Sequence, residues 1–369
     1  MYLKSYLKDN KALFEKKWLL FFIHRVNYSI SILSHKKSIR KVDTPSYLND
    51  LGLRKFKEQN NIYNSLVNKN ILTKINIKKL DLEFKNLPVN DIAIWLDAFA
   101  LCIGNYDLLY DFIQKRYSEI LSSEKYDLLI YSGTIMGIFE DNRAIDLFNS
   151  AIKSTDNKEN QAIALHRELV FRIKRMKGGN SILQKFNELF LKVNELGPLE
   201  RLRVMALADN LYGLYVIEEE IDYEVKNNFA STILNNAQIL LKQYVSIATD
   251  KVKIDEAYRY LSQVNINQAQ LMVGVNNFEA AEKILVKNLS FASKFATDYI
   301  PEARAALSYV YYLENKLDLS IANAKKAINE FDHLGFYESS NTIKQILVAA
   351  YYKSNKESEA KKVWKDINN

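Results

Sequence analysis

Residues 301–332 read PEARAALSYVYYLENKLDLSIANAKKAINEFD, and this stretch decides how the rest of the chain is parsed. Ala305, Leu307, Ser308 and Tyr311 recur at helical spacing, residues 314–318 supply a polar turn, and Ile321, Ala324, Ala327 and Ile328 line one face of a second helix. The small side chains of Ser308, Ser320 and Ala327 let the two helices approach closely.

Close approach of two such helices is the arrangement of a tetratricopeptide (TPR) hairpin, and neighbouring segments fall into the same frame. FEAAEKILVKNL puts Ala281, and SEAKKVWKDI puts Ala360, where Ser320 stands, giving spacings of 39 and 40 residues. First helices are expected at about 261–274 and 341–353. These spacings exceed the roughly 34 residues of a standard unit, so longer helices are predicted. Upstream, NRAIDLFNSAIKS supplies Ala144, Phe148 and Ala151 in that frame, with Ser132 at the small first-helix position. Further hairpins are expected at 91–121 (turning at Gly104-Asn105), 126–154 and 158–196 (turning at 177–180). Leu196-Gly197-Pro198 marks a boundary before a pair over 199–245, and three units then run from about 257 to 366. One hairpin cannot bury its apolar face alone, so neighbours must stack. The predicted fold is an all-α, right-handed superhelix of about seven degenerate TPR-like hairpins.

Composition agrees. A 48% apolar chain of 369 residues can bury a large core, and 10 Gly with 4 Pro leave few helix breakers. The abundant Asn reads as compositional bias. One cysteine, Cys102, excludes an internal disulfide and suits a reducing cytoplasm; its apolar setting in WLDAFALCIG reads as a packing thiol. No run approaches the roughly 18 apolar residues of a membrane span, and Leu19–Ile23 is broken by His24 and Arg25, unlike a secretory signal. A cytoplasmic protein without membrane partners is expected.

Charge is unevenly placed. Residues 1–89 hold 18 Lys and Arg against 7 Asp and Glu, a surplus of 11, whereas the remainder carries 33 against 37. The break near Pro88 divides a basic head (1–88) from a helical-repeat body (89–369) that would bind peptide and dimerise. In the head, Lys36, Lys37, Arg40 and Lys41 cluster. Beyond them Pro45 opens a short helix, Gly52 turns the chain, and Arg54, Lys55 and Lys57 begin a second helix. That is the outline of a helix-turn-helix bound to double-stranded DNA; a plain helical hairpin with a solvated basic face is the other reading.

In the body, the 261–274 helix presents Gln263, Asn267 and Gln270 inward, and the 301–314 helix presents Glu302, Tyr309, Tyr312 and Leu313. Carboxamides donate to and accept from a peptide backbone at once, and tyrosines supply pockets, so a short extended peptide is the expected ligand. Plain solvation of these side chains is the competing reading. His24, His35, His166 and His333 show no metal spacing, and no phosphate loop, nucleophile elbow or dinucleotide fingerprint occurs. Neither enzymatic activity nor a cofactor is expected.

TPSYLNDLGLRKF in the head, NRAIDLFNSAIKS, LMVGVNNFEAAEKILVKNL and ALSYVYYLENKLDLSIANAKKAI together resemble the phage arbitrium receptors (AimR), relatives of the Rap-type peptide-pheromone receptors. The resemblance spans nearly the whole chain as pattern and length. It implies a homodimeric transcription regulator that binds promoter DNA through the head and a secreted peptide through the repeats, peptide suppressing the DNA-bound state and favouring lysogeny over lysis. It places Gln270 where an amide holds the peptide and Leu313 at an apolar pocket. Tyr351, Tyr352 and Trp364 are the expected dimer contacts. A Rap-like scaffold that sequesters a protein without binding DNA is the alternative.

Overall fold

The computed structural model describes residues 106–174, 181–218, 223–334 and 337–367, together with 82, 85–89, 92, 93 and 176. Every regular element among them is helical. Fourteen α-helices follow in order: α1 (Tyr106–Lys115), α2 (Tyr117–Leu121), α3 (Tyr126–Ile138), α4 (Ala144–Lys153), α5 (Lys158–Lys174), α6 (Ile182–Asn194), α7 (Pro198–Glu218), α8 (Tyr223–Ile247), α9 (Lys251–Gly274), α10 (Phe278–Phe295), α11 (Ile300–Leu313), α12 (Leu317–Leu334), α13 (Tyr337–Lys353) and α14 (Glu357–Ile367). They are TPR-type hairpins, and α3 to α14 make six complete pairs among the described residues. The expected head at 1–88, the turn at Gly104-Asn105 and Cys102 lie outside the described residues, apart from the positions given above.

First and second helices of a hairpin differ in composition for a physical reason. A helix packed on several sides needs apolar or small residues all round, whereas one with a free face needs only a stripe. α11 packs against α10, α12 and α13, and every residue from Pro301 to Tyr311 except Arg304 is buried. α12, with polar residues on its open side, buries Ser320, Ile321, Ala324, Ala327, Ile328 and Phe331. The same contrast separates α3, buried almost throughout from Leu128 to Gly137, from α4, which buries Ala144, Leu147, Phe148 and Ala151.

The frame read from the sequence is the one that packs. Ser308, Ser320, Ala281, Ala327 and Ala360 have no exposed surface. Ser308 Oγ donates to the Ser320 carbonyl oxygen at 2.9 Å, tying α11 to α12. In α3, Ser132 is enclosed, and a Cβ added to the adjacent Gly133 would lie 2.9 Å from Cε1 of Phe148, so α4 sits as close as glycine allows.

The turns repeat too. Asn276, Asn315 and Asn355, spaced by 39 and 40 residues, all adopt positive φ of 58–62°. At each, the following amide donates six residues back (Asn277 N to Met272 O, Lys316 N to Tyr311 O and Lys356 N to Tyr351 O, all 2.9 Å). The asparagine amide itself bonds three residues back, which completes a Schellman cap. Asparagine tolerates the left-handed region through its short polar side chain, so this residue, read above as compositional bias, ends three helices. Glu140 closes α3 in the same way. Asn277 Oδ1 then accepts from Ala280 N at 3.1 Å, so adjacent asparagines end α9 and begin α10.

The chain divides into two compact units. One takes in the described residues of Val216–Asn235 and Tyr258–Asn369, the other those of His35–Tyr215 and Asn236–Ala257. Within the latter, the boundary at 196–198 is a turn inside one core: Leu165 and Leu169 of α5, Phe186 and Leu189 of α6, Leu196, and Val204 and Leu211 of α7 bury together.

Candidate ligand site

α9 is the first helix of its hairpin, yet it is not apolar. Arg259, Gln263, Asn267 and Gln270 are buried to 8%, 6%, 1% and 6% relative exposure. At 100° per residue they fall within about 80° of arc, and at 1.5 Å per residue they run along about 16 Å of helix. The other faces of α9 are engaged elsewhere. Gln268 Nε2 donates to Asn235 Oδ1 of α8 at 2.7 Å, Asn265 Nδ2 donates to Asn288 Oδ1 of α10 at 3.0 Å, and Tyr258 stacks on Phe295 with centroids 4.8 Å apart. Carboxamides thus meet both neighbouring helices, and a further row of them is enclosed on a third face.

Gln270 stands out in that row. Both its Oε1 and its Nε2 are enclosed, and neither has a hydrogen-bond partner among the described residues. Enclosing an unsatisfied polar atom costs about 1–3 kcal/mol. A residue kept at that cost can offer one donor and one acceptor to a backbone amide, which has one of each. Arg259 marks the other end of the stripe, its guanidinium 4.9 Å from the ring centroid of Tyr260 and 5.8 Å from that of Tyr299.

The repeat spacing carries these positions onto the next helices. A step of 39 residues takes Gln263 to Glu302 and Gln270 to Tyr309; a further 40 takes Glu302 to Thr342. Gln263, Glu302 and Thr342 are each 6–7% exposed, so one buried polar position recurs on α9, α11 and α13. Arg259 and Thr342 were not among the residues expected from the sequence. Counting 40 residues on from Glu302 would have found Thr342.

Of the expected peptide contacts on α11, Glu302 is buried and Tyr312 and Leu313 are half-buried. Tyr309 has no exposed surface; its ring stacks on Tyr312 at 6.4 Å and backs that residue from inside the core instead of forming an open wall. Lys353 Nζ of α13 lies 5.0 Å from the Tyr312 ring centroid, and burial raises the Tyr312 pKa. Tyr351 is buried beneath Lys325, while Tyr352 and Trp364 are half-buried. Lys36, Lys37, Arg40, Lys41, Arg54, Lys55 and Lys57 lie outside the described residues. Among those described, no group of three or more His, Cys, Asp or Glu could hold a metal ion, and no helix is long and apolar enough to cross a membrane.

Fold and site together define a class: an all-α protein of TPR-type repeats with a carboxamide row enclosed on one first helix. No protein-family model matches the chain, and no curated protein matches it. Among solved structures, that of a Rap protein complexed with competence and sporulation factor is similar to it over 88% of this chain and 98% of that one, at 11% identity and a TM-score of 0.41. The helical-repeat assignment rests on the packing and caps described above.

Proposed function

We propose that this chain is a regulator switched by a short peptide, which lies extended along the Gln263–Asn267–Gln270 row and is completed by Glu302, Tyr312 and Leu313. The observation that carries this reading is the Gln270 carboxamide, enclosed with both ends unpartnered among the described residues. Folding alone gives no reason to keep it. The charge surplus of residues 1–89 supports the second half of the reading, in which the head holds DNA in a homodimer and the peptide releases it. The arbitrium resemblance supplies the outcome, a choice between lysis and lysogeny.

Synthetic peptides copied from the last five to ten residues of small secreted reading frames beside the gene are the probes, titrated calorimetrically into the full chain. One tail is expected to bind, and Gln270→Leu to weaken it at least tenfold with the helical spectrum unchanged. Equal affinity of Gln270→Leu and the parent for that tail would remove Gln270 from the site. Gel shifts with fragments of the adjacent locus test the head: charge reversal at Arg54, Lys55 and Lys57 is expected to abolish retention, and parental affinity should fall steeply with salt. A chain that binds the tail but retains no fragment is a Rap-like sequestering receptor. Where both bind, linkage requires that operator weaken peptide by the same factor as peptide weakens operator.

A further inference from the structure

The first two turns of α9 are held in a different way from the rest of the protein. Their described apolar side chains are only the half-buried Ile254 and the buried Ala257. What anchors them is ionic. Arg203 of α7 is 5% exposed and donates from Nη1 to a Glu256 carboxylate oxygen and from Nη2 to Glu159 Oε1 of α5 at 2.7 Å. Lys253 Nζ closes the group on Glu159 at 3.0 and 2.8 Å. Two cations and two carboxylates balance, drawn from α5, α7 and α9 across sequence separations of 44, 53 and 94 residues.

Such a cluster is an inefficient way to stabilise a fold. Buried ion groups are often matched or bettered by apolar side chains of similar volume, and their best attested use is to fix register. This one is also incompletely satisfied, since Arg203 Nε is enclosed without a partner among the described residues. Its geometry is nonetheless exacting. The Arg203 fork meets both carboxylates only when α9 stands at one height and one rotation, because a one-residue slip moves Glu256 by 1.5 Å and 100°. The same continuous helix carries Gln263, Asn267 and Gln270 one to four turns further on.

We propose that the Glu159–Arg203–Glu256–Lys253 cluster is a positioning latch that sets the height and rotation of α9 and thereby of its carboxamide row. Arg203, Glu159 and Glu256 act on the row through the helix and do not touch its ligand. The latch makes the row's order depend on charges well outside it, whatever the ligand proves to be.

Hydrogen exchange of the full-length, ligand-free chain tests this without any ligand. In Glu256→Gln, which keeps the side-chain shape and removes one charge, amides of 263–270 are expected to exchange at least tenfold faster than in the parent, while those of α6 stay unchanged. Arg203→Met should do the same more strongly; if it fails to fold, Glu256→Gln decides. A purely local role loosens 251–257 and the facing turns of α5 and α7 alone. Unchanged exchange at 263–270 beside faster exchange at 251–257, or no change in either segment, would overturn the proposal.

Discussion

α9 and α11 hold equivalent places in consecutive hairpins, 39 residues apart, and their interiors could hardly differ more. α11 buries Ala303, Ala305, Ala306, Leu307, Tyr309 and Val310; α9 buries Arg259, Ser262, Gln263, Asn267 and Gln270 among its apolar residues. α11 demonstrates that a first helix needs nothing polar beyond Ser308, whose hydroxyl is bonded to α12. The carboxamides of α9 are therefore surplus to folding. That makes them the better indicator of function, because a buried polar group without a structural role costs stability.

Substitutions can break or sharpen this comparison. The largest effect belongs to the apolar helix: Tyr309→Ala empties a fully enclosed site and is expected to cost about 3–5 kcal/mol in urea unfolding. A loss below about 1 kcal/mol would show that α11 is no more a core helix than α9.

Asp209 on α7 is the next test, as another buried polar group on a first helix. Burial raises its pKa from 3.8 to about 6, against the opposing hydrogen bond that Asn236 donates to it at 2.6 Å. Below pH 4 the proton is bound in both the folded and unfolded chain. As pH rises through 4 to 6 the unfolded chain releases it first, so stability falls across that window. The loss is roughly 2–3 kcal/mol by pH 7. Asp209→Asn, measured by unfolding at pH 4.5 and 7.5, is expected to flatten the slope and to gain most at pH 7.5. A slope unchanged by the substitution would place its origin elsewhere.

Asn315 probes the frame that the two helices share. Its left-handed backbone should make Asn315→Ala cost about 1 kcal/mol, whereas Asn315→Gly stays within about 0.5 kcal/mol of the parent. The smallest change is expected at the most informative site. Gln270→Leu should alter stability by less than about 1 kcal/mol, and upward, because it removes two unsatisfied atoms while nearly conserving volume. A marked destabilisation would mean that the carboxamide serves folding after all.

These contrasts also show what one sequence can reveal. Ala281, Ser320 and Ala360 disclosed the frame because close helix approach restricts side-chain size at one position per hairpin. The asparagine caps were equally periodic, but their backbone requirement resembles compositional bias until φ is known. α9 begins at Lys251, ten residues before the start expected for it, since Lys253, Glu256 and Arg259 look like a solvated face. Their partners stand 44 to 94 residues away in sequence, and no local pattern connects them. The amide row itself was legible, because carboxamides at helical spacing inside an otherwise apolar repeat break its pattern. Burial of Tyr309 was not, as tyrosine suits a core and a pocket wall equally.

The recurring cap has an evolutionary consequence. Asn315-Lys316 and Asn355-Lys356 are the same dipeptide in the same backbone conformation, each ending a first helix. Excising residues 316–355 would join Asn315 to Lys356 and regenerate that cap at the seam, with α14 following α11 as its second helix. Lineages of such chains could lengthen or shorten by whole hairpins through unequal exchange at these seams, leaving no broken helix for selection to repair.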